Sequence, residues 1–236
     1  TSDAYWTNLD TQLAGGNAPD VMQFGGNYPD YVSRGFLQPL EGYLGSILQI
    51  DTPEKFDQAV LQTGTIDGHL YGVSLGTNAL VLAYNKTMLE NAGAPLPPDN
   101  MTWDEFAAYG ASIKDLLPDG VFPIVDNSVN QANFLSYFMN QRGEGIWDGD
   151  ASHATVEGIQ AWIDLWEDMR AEGIIPDIET TATYAESGPD NSAFVAGKAA
   201  VNLLWSNLVT SYQGAMTDEL GITQLPTGDS PALQIQ

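Results

Sequence analysis

The chain has 236 residues, 43% hydrophobic and 10% aromatic, and its 31 acidic against 7 basic side chains give a formal net charge of −24. That balance excludes nucleic acid and anionic membrane surfaces as partners, because both need clustered Lys and Arg. The absence of cysteine removes disulfides and cysteine-held zinc or iron–sulfur centres, and no run of about 18 apolar residues offers a membrane span. The acids are scattered rather than blocked, which fits a solubilising role. Residues 1–20 lack the basic start and apolar block of a secretory signal, as a mature secreted chain would.

In chain order, Tyr5, Leu9 and Leu13 recur every four residues and predict a helix over 4–14, stopped by Gly15-Gly16. Residues 16–22 predict a turn into a short buried strand. A short helix over 28–35 follows, with Pro29 in its first turn. Strands are predicted over 70–75 and 78–84. The second is a nearly continuous apolar run, the mark of a strand covered on both faces. Asn85 then opens a two-turn helix that Gly93 closes. Thr102-Trp103-Asp104-Glu105 has the form of a capping box and predicts a helix running to Leu117.

Further on, a strand is predicted over 122–125 and a helix over 133–141. Val156, Ile159, Ile163, Trp166 and Met169 lie three and four apart and define the strongest amphipathic helix. One helical turn at 192–195, a strand at 199–205, a helix from Ser206 and a last strand at 222–225 complete the chain. Strands alternate with helices throughout, so the fold class is α/β.

Four blocks carry a family likeness: Leu13 to Val21, ending in Pro-Asp-Val; Gly68 to Phe106, where Gly68-His69-Leu70-Tyr71-Gly72 leads into the apolar strand and its helix; within its end, Trp103-Asp104-Glu105-Phe106; and Phe194 to Val201, with Gly-Lys-Ala-Ala. In this order and spacing the chain resembles the extracellular solute-binding proteins of ABC importers, in particular the sugar-binding group that includes maltose-binding protein. The resemblance implies a two-lobed, type II periplasmic-binding-protein-like architecture, incomplete at both ends. Residues 1–83 would form part of the first lobe, 84–225 part of the second, and 226–236 the start of a return to the first. The chain would then be an internal piece of a longer protein.

The resemblance also implies a function. The lobes would close around a carbohydrate, a mono- or oligosaccharide, and deliver it to an ABC transporter permease. The full-length protein would be a monomer in the periplasm or a lipoprotein on the cell surface, with no cofactor and no metal. Sugars are held by aromatic faces and planar polar side chains, at the carboxyl ends of strands in open α/β sheets. The positions that the family uses for ligand contact fall here on Phe24 and Asn27, on Asn78, on the loop carrying Asn130, Gln131 and Asn133, and on Trp205 and Asn207. Trp147 is a further candidate, whereas Trp103, Trp162 and Trp166 lie on helical patterns and are expected in the core. Asp148-Gly149-Asp150 lacks the distal Glu of a calcium loop, and His69 and His153 lack acidic partners at ligand spacing. Neither a His-Glu-x-x-His zinc helix nor a phosphate loop occurs, and no nucleophile elbow is read. The rival readings are a carbohydrate-active enzyme, such as a glycoside hydrolase working with paired carboxylates, and a solute-binding domain used as a sensor.

Overall fold

The computed structural model describes residues 2–45, 48, 50, 56–128, 134–146, 152–184 and 189–228. The chain forms two compact units, Thr1–Thr77 and Asn78–Gln236.

The first unit opens with α1 (Ser2–Ala14), which buries Leu9 and Leu13 against Tyr31 of α2 (Tyr28–Ser33). The predicted strand over 16–22 does not form, and Val21 is 88% exposed. A strand needs its amides paired with a neighbouring strand. Here the Gln23 carbonyl accepts from the Tyr5 hydroxyl at 2.8 Å, and the Gln23 N–H donates to the same hydroxyl at 3.1 Å. A helix side chain has taken the place of a ladder. The short helix α3 (Gln58–Gln62) is capped by Asp57, whose carboxylate accepts the Ala59 N–H at 2.8 Å. A two-stranded hairpin follows, β1 (Thr65–Ile66) and β2 (His69–Leu70). Its turn is Asp67-Gly68, both at positive φ, as the right-handed twist of a tight hairpin requires. The strand predicted over 70–75 stops at Leu70, and residues 71–79 have no regular structure.

The second unit is built on a four-stranded sheet of β3 (Leu80–Asn85), β4 (Phe122–Ile124), β5 (Ala199–Trp205) and β6 (Leu220–Thr223), in the order β4-β5-β3-β6. β4 runs parallel to β5, while β3 is antiparallel to both β5 and β6. Three strands therefore share one direction, and their carboxyl ends lie where β3 begins. β6 forms two residues before the position that the apolar run suggested; Leu225 is buried beyond it.

Asn85 caps α4 (Lys86–Asn91) by accepting the Met88 N–H at 2.8 Å, and its own amide donates to Asp218. The capping box at Thr102 is complete: its hydroxyl accepts the Glu105 N–H, and its own N–H donates to the Glu105 carboxylate at 2.8 Å. The helix it opens, α5 (Trp103–Ile113), gives way to a 3-10 turn over Lys114–Leu116 instead of running on as α-helix.

α6 (Ser136–Gln141) and α7 (Val156–Ala171) pack beside α5. The face that α7 buries is only partly the predicted one: Trp166 and Met169 are inside as expected, the aliphatic members of the set are not. Gly158, Trp162, Trp166 and Met169 face inward, while Val156, Ile159 and Ile163 are exposed. Both sets obey helical spacing. The indoles win because Trp162 meets Trp103 at 5.7 Å and Phe138 at 5.4 Å, an aromatic cluster worth more than aliphatic burial alone. Trp103, Trp162 and Trp166 are thus core residues, as expected. α8 (Ile178–Thr183) is capped by Asp177. α9 (Val209–Ala215) covers the opposite face of the sheet, where Ala83, Phe194, Leu204 and Tyr212 pack together.

Candidate functional site

The register of β3 and β5 does most to build the site. Leu80 pairs with Trp205, Leu82 with Leu203 and Tyr84 with Val201. Beyond the last pair the Ser206 N–H donates to the Ala79 carbonyl at 2.8 Å, and the Ala79 N–H donates to Ser206 Oγ at 3.0 Å. Asn78 directly precedes Ala79 and Asn207 directly follows Ser206, in the 3-10 turn Ser206–Leu208, so both lie at this end of the ladder. Both asparagines are exposed, and Trp205 beside them is half-buried, whereas the six residues before it in β5 are fully buried. A large ring thus surfaces where the strand ends, at the same end of the ladder as two exposed amides.

β4 delivers the next group. Its carboxyl end runs into Val125, Asp126, Asn127 and Ser128, alongside β5. Asn127 Nδ2 donates to the Val125 carbonyl at 3.1 Å and to Asn202 Oδ1 at 3.2 Å. Asn202 points toward α9, where burial pushes the Tyr212 hydroxyl above its usual pKa while hydrogen bonds with Ser192 and Asn202 pull it back. Asp126 accepts from Arg170 Nη2 at 2.5 Å and from the Thr181 hydroxyl at 2.9 Å. Asp126, Asn127 and Asn202 are not among the residues expected from the sequence. The available signal was the polar triplet Asp126-Asn127-Ser128 following a predicted strand.

Of the residues expected at a ligand, Asn78, Trp205 and Asn207 come together at one end of the sheet. Gln131 and Asn133, with Asn130 and Trp147, lie outside the described residues, as do Asp148 and Asp150. Phe24 and Asn27 belong to the first unit. Phe24 is partly buried against Tyr31 and Trp6, with ring centroids 5.0 and 6.2 Å apart. Asn27 is exposed at the N-cap of α2 and makes no side-chain cap bond.

Two expectations about catalytic and metal chemistry need correction. His69 does have an acidic neighbour, Glu41, 3.3 Å away, supplied from 28 residues upstream in sequence. The Gly-x-Ser-x-Gly spacing of a nucleophile elbow does occur, at Gly72-Val73-Ser74-Leu75-Gly76. It lies in the irregular stretch 71–79 rather than on a strand-to-helix turn, and Ser74 Oγ bonds locally to Gly76. The elbow geometry that exposes such a serine is therefore missing. Among the described residues no group of three or more His, Asp or Glu side chains could hold a metal ion. Among them also, no helix is long and apolar enough to cross a membrane.

The chain belongs to the bacterial extracellular solute-binding protein family, whose model matches residues 1–236. Among curated proteins it is 27% identical over 237 residues to a binding protein of Brucella abortus (strain 2308), covering 98% of this chain and 55% of that one. It is 25% identical over 148 residues to the lactose-binding protein of Rhizobium radiobacter, covering 61% of this chain and 33% of that one. Among solved structures, the Listeria monocytogenes ABC substrate-binding protein in complex with cycloalternan superposes with a TM-score of 0.79 at 22% identity. That match covers 97% of this chain and 57% of the other, and it speaks for the fold. The chain thus spans about half the length of the relatives it matches.

Proposed function

We propose that this chain is the greater part of the ligand-binding machinery of a carbohydrate-binding protein, one that captures a neutral mono- or oligosaccharide and hands it to an ABC transporter permease. The observation that carries the reading is the half-exposed Trp205 ring at the end of β5, with Asn78 and Asn207 beside it. A pyranose offers an apolar C–H face and a rim of hydroxyls. An indole covers the first, and carboxamides, which both donate and accept, read the second. The ends of β4, β5 and β6 are also where open α/β sheets hold ligands. One relative is named for lactose, and the similar Listeria structure is a complex with cycloalternan. In the family-level resemblance, Phe24, Asn27, Gln131 and Asn133 complete the contacts.

The ligand is neutral because, among the described residues, Arg170 is the cation nearest the turn after β4 and its charge is already paired. Arg170 spends one terminal nitrogen on Asp126 and the other on Glu167. A net charge of −24 adds a general repulsion. The same charge rules against nucleic acid as a partner, and the protein works as a monomer outside the cytoplasmic membrane. Any lipid anchor on cysteine would lie outside these residues, which contain none. No bond is made or broken: the work is selective binding.

A thermal-shift screen of the full-length protein tests this reading. Lactose, maltose and larger neutral oligosaccharides go in one panel and a digalacturonate in another. A ligand at 100 times its Kd stabilises by about 2.7 kcal/mol, so a neutral sugar raises the melting temperature by several degrees and the uronate does not. Turnover of a glycoside without any such shift would overturn the reading in favour of an enzyme.

A further inference from the structure

We propose that Asp126 is the positioning residue of this site: a single buried carboxylate that fixes the turn after β4, and with it Asn127, at the ligand-facing end of the sheet. The inference rests on the ligand site proposed above.

The Asp126 side chain is 1% exposed, and the Arg170 side chain that meets it is 14% exposed. Asp126 Oδ2 accepts from Arg170 near the end of α7 and from Thr181 on α8. Its other oxygen, Oδ1, accepts the Ser128 N–H at 2.9 Å. One carboxylate thus ties two helices to the turn that leaves β4. Asn127, between the two anchored residues, is held from the other side by Asn202. The turn is thus tied to α7 and α8 through Asp126 and to β5 through Asn127.

Stability is a poor explanation for this arrangement. Removing two charges from water costs more than their attraction returns, and a well-packed apolar pair in the same space is often as stable or more so. The Arg170 Nε is moreover buried with no partner among the described residues, a further cost that an apolar side chain would not carry. What the ion pair supplies and an apolar pair cannot is direction, because it fixes the Ser128 N–H and the helix ends at defined angles. Binding sites need such support from behind, since loosely held contact residues lose affinity.

The test uses the full-length protein carrying D126L/R170M, which replaces the pair by apolar side chains, and separately Thr181→Val, which removes one hydrogen bond. Amide hydrogen exchange is followed residue by residue, with lactose titrated in parallel. In the double variant the Ser128 amide is expected to exchange about tenfold faster. The amide of Val125, which donates to the Val201 carbonyl at 2.8 Å within the sheet, stays unchanged. Lactose affinity falls about tenfold while the melting temperature holds within a few degrees. Thr181→Val gives the same pattern, weaker. Unchanged Ser128 exchange, or equal acceleration at Ser128 and Val125, overturns the proposal. Should the double variant fail to fold, the Ser128 and Val125 amides of Thr181→Val decide it alone. If lactose fails to bind even the wild type, the ligand reading is at fault, and the exchange measurement still decides the role of Asp126.

Discussion

Ala79 and Ser206 bond each other twice, once through backbone and once through the serine hydroxyl, and so extend the β3–β5 pairing by one step beyond Leu80 and Trp205. That step ties the backbone next to Asn78 to the backbone next to Asn207. Ser206→Ala removes the acceptor for the Ala79 N–H and leaves the backbone bond. Ala79 is exposed, so water takes the vacated place and the stability cost is at most about 1 kcal/mol. Asn78 loses its anchor, and sugar affinity is expected to fall several-fold. Urea unfolding and calorimetric titration together check this; an affinity unchanged while stability drops would show that the step does not serve the ligand.

The packing of α5 on the sheet makes a sharper mutational prediction. A Cβ on Gly110 would come within 2.5 Å of Ile174 Cγ2 and 2.8 Å of Ile124 Cδ1. Gly110→Ala therefore destabilises by roughly 1–3 kcal/mol. Gly214 in α9 has nothing within 4 Å of the same position, and Gly214→Ala stabilises by up to about 0.5–1 kcal/mol through lost unfolded-state freedom. Urea midpoints moving in the same direction for both variants would contradict this account of the helix packing.

Acid stability has a local reporter in Asp177. The backbone N–H of Thr180, donated at 2.7 Å, and the Thr180 side chain hold its carboxyl below the ordinary carboxylate range, with Arg170 adding a smaller pull. A carboxyl whose pKa is lower in the folded state stabilises fully above its unfolded pKa of about 4 and loses that contribution as pH falls through the folded value. Asp177→Asn keeps a capping side chain that does not titrate. The stability difference between wild type and variant is therefore expected to shrink between neutral pH and pH ~3. A difference that is constant with pH would mean that the cap carries no charge effect.

Much of this structure is written locally. Capping residues such as Asn85 and Thr102 act within four residues of themselves, so their roles follow from spacing. The strand 199–205 is legible as an apolar run, interrupted only by Asn202, because both of its faces are covered. Pairing is not local. The segment around Val21 has the composition of a strand, but Tyr5 captures the backbone of Gln23, and nothing in the sequence of either announces it. The buried face of α7 turned on whether indoles or isoleucines met the Trp103–Phe138 cluster, a choice made by residues more than twenty positions away. Within the site, Trp205 and Asn78 could be named from the resemblance. The clamp of Asp126, Arg170 and Thr181 could not, because its members lie 44 and 55 residues apart.

The most direct test of the central claim is a fluorescence and calorimetric titration of the full-length protein and its Trp205→Ala variant with the neutral sugar that most raises the melting temperature. Trp205 is half-buried at the end of its strand, so its truncation is expected to cost little stability but at least about 1.4 kcal/mol of binding, a tenfold loss of affinity, and to remove most of the ligand-induced change in emission. Equal losses of stability and affinity, or undiminished binding by Trp205→Ala, would contradict a sugar platform at the end of β5.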